Sequence, residues 1–211
     1  AAPDLPWEYL EDRAWEREWL QHFAPLRFGE RFWVCPSGTA APDPDAIVMH
    51  LDPGLAFGTG THQTTALCLE WLATHALAGR DVIDYGCGSG ILGVAALLLG
   101  AARVRAVDID PQALQSAAEN ARVNRVALDV RSSSEALPAP ADIVIANILS
   151  SPLKLLAPLL AGHLAPGADL VLAGILARQA DELVDAYAPH LALGVADEED
   201  GWILMTGRAA A

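Results

Sequence analysis

The residues whose types and spacing could do chemistry begin with a glycine-rich segment, Val82–Gly90. Two branched apolar residues, typical of a buried strand, precede Asp84, and three glycines follow at alternate positions: Gly86, Gly88 and Gly90. Glycine accepts positive φ angles and has no Cβ to hold a ligand away from the backbone. A strand, a glycine turn and a helix N-terminus therefore predict a cradle for a nucleotide-like ligand at the carboxyl edge of a parallel sheet.

The same glycines also fit the dinucleotide pattern GxGxxG over Gly88–Gly93. This pattern alone is a weak signal for a dehydrogenase. Asp84 argues against it, because a carboxylate just before the turn repels a pyrophosphate and suits a ligand that carries an ammonium group. S-adenosylmethionine is such a ligand.

A second acid ends the next predicted strand, Arg103–Asp108. Asp108 follows Gly86 by 22 positions, close to the spacing at which a carboxylate holds ribose hydroxyls. The alternative interpretation is a structural glycine turn followed by a surface acid. Together, Asp84 and the glycines resemble the first motif of the class I S-adenosylmethionine-dependent methyltransferases.

Strands and helices alternate along most of the chain, which predicts an α/β fold built on a parallel sheet. The last two strands have no helix between them and should pair antiparallel. The class I methyltransferase resemblance implies a Rossmann-like fold with a seven-stranded, mostly parallel sheet, an antiparallel last strand and helices on both faces. We predict strands near 81–85, 104–108, 126–130, 142–147, 169–173, 191–195 and 202–206, and helices near 64–75, 90–99, 111–123, 152–164 and 176–187.

The N-terminal quarter has a different pattern. Aromatic residues recur at four-residue steps in Tyr9–Phe23, which predicts an amphipathic helix with a tryptophan stripe. Residues 31–35 and 47–51 predict two strands of a β-hairpin-like arm, joined by a turn at 36–45. We expect residues 1–50 to form an interdomain arm and residues 51–211 to form the catalytic domain.

Composition limits the partners. The 211 residues include 27 acids and 13 bases, a net charge of −14, which disfavours direct binding of nucleic acid and favours a basic protein substrate. The longest apolar run, 91–102, is too short to span a membrane. Three widely spaced cysteines without metal-ligand spacing are typical of reduced thiols in the cytoplasm. We expect a cytoplasmic protein without a bound metal and, although the sequence does not fix this, a monomer.

The most specific segment is the polar loop that ends in Phe-Gly-Thr-Gly-Thr-His, within Gly54–Thr65. With the glycine turn, Val-Asp108-Ile-Asp-Pro and Ala-Asn147-Ile-Leu, it resembles the PrmA family over nearly the whole chain. That family methylates amino groups of the ribosomal large-subunit protein numbered eleven. The resemblance implies S-adenosylmethionine as cofactor and a separate N-terminal substrate-binding domain, which we expect to precede this sequence.

Carried over by position, the resemblance implies cofactor contacts at Thr65, Gly86, Asp108 and Asn147. Each has a physical rationale: a hydroxyl and an N–H at a helix start, close backbone approach, ribose hydrogen bonds, and a side chain where the methyl is transferred. Four further cofactor contacts are expected from the turn and the loop: Asp84, Gly88, Gly90 and Phe57.

We assign catalysis to Asn147, which could orient the amine, and to His62, which lies in the special loop. Each polar residue also has a structural interpretation. Thr64 or Thr65 could cap the following helix, Asn147 could cap the helix entrance at Ser150–Pro152, and a lone histidine is often structural.

The acceptor itself is less constrained. Methyl transfer to an amine needs alignment and a neutral nucleophile rather than a strong base. Asn147-Ile148-Leu149 lacks the Asn-Pro-Pro-aromatic pattern of adenine and glutamine methyltransferases. Two alternatives stay open: the same fold acting on another protein or a small amine, and a cofactor-binding module without activity.

Overall fold

The structure, a computed structural model, describes residues 24–51 and 62–211 of the chain. The predicted helix Tyr9–Phe23 and the segment 52–61, which includes Phe57, lie outside the described residues.

The main sheet contains seven strands within the described residues: β4 (Asp81–Tyr85), β5 (Arg103–Asp108), β6 (Asp129–Ser132), β7 (Ala141–Asn147), β8 (Leu164–Leu176), β9 (Leu193–Glu199) and β10 (Trp202–Arg208). Their order in the sheet is β6-β5-β4-β7-β8-β10-β9. β10 runs antiparallel to both of its neighbours, and the other pairs are parallel. The predicted α/β fold, strand number and antiparallel last strand are thereby confirmed.

The strand order reverses between β4 and β7. The chain moves outward from β4 to β5 and β6, then returns to place β7 on the other side of β4. In open α/β sheets, the crevice at such a switch point, beyond the carboxyl ends of the strands, is where ligands bind.

Helices connect the strands: α1 (Gln63–Thr74), α2 (Ile91–Leu98), α3 (Pro111–Val123), α4 (Ser150–Leu155), α5 (Ala157–Gly162) and α6 (Ala180–Tyr187). In the structure, two helices replace the single helix predicted at 152–164. In a continuous helix the ring of Pro158 would clash with the carbonyl of Lys154, so a new helix begins there. The helix predicted at 176–187 begins as a 3-10 turn, Ala177–Gln179. Among the described helices, none is long and apolar enough to cross a bilayer.

β8 is longer than predicted. The strand predicted near 169–173 begins earlier, at Leu164, and runs through Pro166 and Gly167. The ladder with β7 jumps from Ala141↔Leu164 to Ile143↔Asp169, so the additional residues form a bulge rather than a break.

The small N-terminal sheet corrects a second prediction. β2 (Phe32–Cys35) and β3 (Ile47–His50) pair in parallel, not as a hairpin. The antiparallel partner of β2 is β1 (Leu26–Phe28), joined to it by a turn at Gly29, whose φ of 57° suits glycine. The long connection before β3 lets the chain return and run alongside β2 in the same direction.

Two hydrophobic cores cover the two faces of the main sheet. Along β7, Ile143 and Ile145 face one core, and Val144 and Ala146 face the other. The first core also contains buried residues of α1, α2 and the small sheet, and the second contains those of α4, α5 and α6. The three cysteines, all within the described residues, are buried and free. The division of the chain at residues 50 and 51 stays a prediction.

Candidate functional site

A cavity of about 880 Å³ lies at the carboxyl ends of the central strands. This volume suits a ligand of nucleoside size. Five residues that the sequence predicts as site residues line it: His62, Gly86, Gly88, Asp108 and Asn147. Asp84, Thr65 and Gly90 are not among its lining residues, and Phe57 is outside the described residues.

The turn after β4 is held by its own backbone. The N–H groups of Gly86 and Cys87 both donate to the carbonyl of Val107, at 2.8 and 3.0 Å. Gly86, Gly88 and Gly90 have φ angles of 79°, 52° and 75°, which favour glycine at all three positions. A Cβ on Gly86 would overlap the side chain of Ile148, which lies across the turn.

Gly90 serves packing instead of lining the cavity. It precedes α2 as the N-cap residue, and a Cβ there would lie 2.8 Å from the Cβ of Ala117 in α3. This glycine therefore lets the turn approach α3 closely.

Asp108, at the end of β5, is fixed by two backbone donors. Its Oδ2 accepts the N–H of Gly88 at 2.9 Å, and its Oδ1 accepts the N–H of Asp110 at 3.0 Å. A carboxylate has about four lone-pair positions, so two such bonds leave capacity for ligand hydroxyls. The arrangement is a pre-oriented acceptor for a vicinal diol.

Asp84 lies beneath the turn and is 1% exposed. Its Oδ2 accepts the N–H of Gly93 at 2.9 Å, and its Oδ1 has no hydrogen-bond partner within the described residues. Burial raises the pKa of Asp84, the Gly93 hydrogen bond opposes this and the nearby Asp108 adds to it, and the net result is a pKa of about 7. The carboxyl group supports the turn from below, and its contact with a ligand ammonium stays a prediction.

Asn147, at the end of β7, points across to α1. Its Nδ2 donates to Thr65 Oγ1 at 3.3 Å. The helix that follows has Leu149 as its N-cap, without a side-chain capping bond in the described structure, so the capping alternative for Asn147 is wrong. Thr65 is fully buried, and its N–H donates to the carbonyl of His62 at 2.9 Å. The Thr65 N–H is therefore hydrogen-bonded within the protein, and the Thr65 hydroxyl accepts the hydrogen bond that orients Asn147.

His62 combines a structural role with a place in the cavity wall. It is the N-cap of α1, and its Nδ1 accepts the N–H of Thr64 at 3.3 Å. The alternative that Thr64 or Thr65 caps this helix is therefore wrong. The imidazole also packs edge-on against Trp202, with ring centroids 5.1 Å apart.

The profile of the ribosomal protein L11 methyltransferase (PrmA) family matches residues 1–210. The chain belongs to this family. Its similarity to named family members is substantial: 60% identity over 162 residues with the protein of Methylococcus capsulatus (strain ATCC 33009 / NCIMB 11132 / Bath), and 52% over 211 residues with that of Pseudomonas aeruginosa (strain LESB58).

These L11 methyltransferases are longer than the present chain. The match covers 76% of the chain and 55% of the Methylococcus protein, and 97% of the chain and 72% of the Pseudomonas protein. The relative from Aeromonas salmonicida (strain A449) is 58% identical over 164 residues. This match covers 76% of the present chain and 56% of the relative. The chain thus spans little more than half the length of several curated relatives.

Solved structures support the fold. A ribosomal protein L11 methylase from Lactobacillus delbrueckii subsp. bulgaricus has a TM-score of 0.79 at 28% identity, with 90% of this chain and all of that chain covered. An RNA methyltransferase from Salinibacter ruber, solved with S-adenosyl-L-homocysteine, has a TM-score of 0.55 at 22% identity, covering 67% and 90% of the two chains. This second likeness shows the fold alone.

Several cavity-lining residues of this PrmA family member were not predicted from the sequence: Thr64, Tyr85, Ile109 and Trp202. Most of them adjoin a predicted residue, so flanking positions were the available signal. Trp202 had no such signal, because it is far along the chain and reaches the cavity only through the pairing of β10 with β8.

Proposed function

We propose that the chain transfers methyl groups from S-adenosylmethionine to lysine side chains and to the N-terminal amine of ribosomal protein L11. Family membership supports the activity, and the cavity supplies a place for it. The observation that carries the proposal is that one cavity is lined by all of the following residues: Gly86, Gly88, Asp108, Asn147, His62 and Trp202.

The residues present fit the methyl donor. Asp108 has spare lone pairs for the ribose hydroxyls, and charge-assisted hydrogen bonds of this kind are among the strongest available to a protein. Ile109, 84% exposed, places an apolar side chain next to Asp108 at the cavity and could cover a base. When bound, the donor supplies a methyl group activated by a sulfonium.

The acceptor amine must arrive without its proton. For an ordinary lysine with a pKa of about 10.4, deprotonation at pH 7 costs about 4–5 kcal/mol. Apolar surroundings reduce this cost by disfavouring the ammonium form. Ile148, Leu149 and Trp202 provide such surroundings, and the side-chain oxygen of Asn147 can accept an N–H bond that aims the lone pair of the amine.

The charge of the chain agrees with a basic acceptor. A net charge of −14 attracts a cationic protein and raises its rate of encounter. Because ribosomal proteins are made in the cytoplasm, the proposed activity belongs there as well.

Mass spectrometry of L11 incubated with S-adenosylmethionine and the full-length protein, including the substrate-binding domain expected before this chain, tests the proposal. We expect mass increments of 14 Da, mapped to lysines or the N-terminal amine, and no increment on L11 whose amines have been acetylated. Binding of the donor without any methylation of L11 would contradict the proposal. Transfer to free amines or to other proteins, but not to L11, would favour the alternative acceptors.

A further inference from the structure

β8 contains an irregularity directly beside the cavity. Against β10, its ladder passes from Leu172↔Met205 to Ile175↔Ile203, so three steps along β8 face two steps along β10. The extra residue lies at Ala173–Gly174, and Gly174 has a φ of 83°. Bulges of this kind re-aim the local backbone and are frequent next to active sites.

Gly174 is in close contact with the segment that carries Asn147. We call Asn147–Leu149 the acceptor loop. A Cβ on Gly174 would overlap the Ile148 carbonyl oxygen and lie 2.8 Å from the carbonyl carbon and 3.1 Å from the nitrogen of the same residue. These are backbone atoms, so no side-chain rotation could relieve the overlap.

The acceptor loop is thus confined from two sides. The side chain of Ile148 covers Gly86 in the glycine turn, and its backbone covers Gly174 in β8. Asn147 itself pairs with Ala173 in the parallel ladder and donates to Thr65 on α1. Displacing Ile148 from Gly174 would therefore also move the adjoining Asn147 side chain.

We propose that Gly174 is a positioning residue for methyl transfer: its missing side chain seats the backbone of the acceptor loop and thereby aims Asn147 at the incoming amine. This inference rests on the proposed function. It assigns Gly174 to the acceptor side, since it contacts the loop after β7, whereas the donor-side contacts at Gly88 and Asp108 lie in the turn after β4 and at the end of β5. A Cβ at position 174 should then slow the transfer and spare donor binding.

The same strand offers a matched control. Gly167 also lies in β8 with a positive φ, 71°, but a Cβ there would meet no described atom within 4 Å. Gly167→Ala and Gly174→Ala therefore share the backbone strain of a left-handed alanine, and only Gly174→Ala displaces the acceptor loop.

The experiment compares wild type, Gly167→Ala and Gly174→Ala of the full-length protein by calorimetric binding of S-adenosylhomocysteine, by thermal unfolding and by the rate of methyl transfer to L11. We expect Gly174→Ala to bind the ligand as wild type does while kcat falls roughly ten- to a hundredfold, the size expected for a small misalignment of reacting groups. Gly167→Ala should keep the wild-type kcat. Gly174→Asn, in which the left-handed backbone is less strained, should show the same loss of kcat with better stability.

Each other outcome counts against the assignment. Wild-type kcat in Gly174→Ala, or equal losses in both alanine variants, would overturn it. Loss of ligand binding in both Gly174 variants, with Gly167→Ala intact, would assign Gly174 to the donor site or to folding instead. A wild-type chain that binds the ligand and methylates nothing would overturn the proposed function first, and the role of Gly174 with it.

Discussion

Asp84 and Asp108 end neighbouring strands, but their surroundings give them different chemistry. Asp108 is half-buried, with both oxygens held by backbone N–H groups beside the cavity. Asp84 is enclosed, and only one of its oxygens has a partner within the described structure. Desolvation penalises the charged form of Asp84, so the carboxyl group is half-protonated near neutral pH.

The raised pKa of Asp84 predicts how stability depends on pH. Between about pH 4, its ordinary range, and pH 7, the folded state holds a proton that the unfolded state has released. The contribution of Asp84 to the free energy of unfolding is therefore fully present below pH 4. It is lost as the pH rises through the folded-state pKa near 7, by about 4 kcal/mol in total. We expect Asp84→Asn to flatten the dependence of the unfolding free energy on pH between about 4 and 7, as measured with denaturant.

Asp110→Asn is the control for this measurement, because Asp110 is an exposed acid whose replacement can still cap α3. Asp110→Asn should show the same dependence of the unfolding free energy on pH as wild type. The same slope in Asp84→Asn as in wild type would show that Asp84 is ionised in the folded state throughout this range.

At the scale of elements, α3 links the glycine turn to the small sheet. Asn120 Nδ2 donates to the carbonyl of Ser89 in the turn at 2.8 Å. One helical turn later, Asn124 accepts the N–H of His50 and donates to its carbonyl, both at 2.7 Å. One face of a helix thus holds two segments that the sequence separates widely.

Removing the second link should destabilise the protein measurably. Asn124→Ala leaves a partly buried N–H and carbonyl of His50 without partners, at an expected cost of about 1–3 kcal/mol in the free energy of unfolding. Denaturant unfolding measures this cost, and hydrogen exchange should show faster exchange at the His50 amide. Arg122→Ala, on the same helix, removes only an exposed ion pair with Glu119 and should destabilise the protein much less. Equal costs in the two variants would contradict the proposed link.

The positions of strands and helices were largely predictable from the sequence, and the pairing of the strands was less so. Apolar runs and glycine turns identify β4, β5 and β7 almost to the residue, because local patterns determine secondary structure there. Pairing is set by tertiary contacts, and for this reason the relation between β2 and β3 was predicted wrongly. The break at Pro158 was missed because the apolar pattern continues across it.

At the scale of the whole molecule, the site is a product of topology. The ends of β4, β5, β7 and β8 meet at one edge of the sheet, so residues from Tyr85 to Gly174 line one cavity. Motifs predicted Gly86, Gly88, Asp108, His62 and Asn147 at this cavity. They could not predict that Thr65 accepts a hydrogen bond from Asn147, or that Trp202 of the last strand packs against His62, because both contacts depend on long-range packing.

The central claim is that this cavity holds the methyl donor with its ribose on Asp108. Calorimetric titration of S-adenosylmethionine into wild type, Asp108→Ala and Asp110→Ala tests it most directly. Asp108→Ala should weaken binding at least about tenfold, since each lost charge-assisted hydrogen bond is worth about 1.5–3 kcal/mol. Asp110→Ala removes a nearby acid that caps α3 and should bind the donor as wild type does. Wild-type affinity in Asp108→Ala would contradict the account.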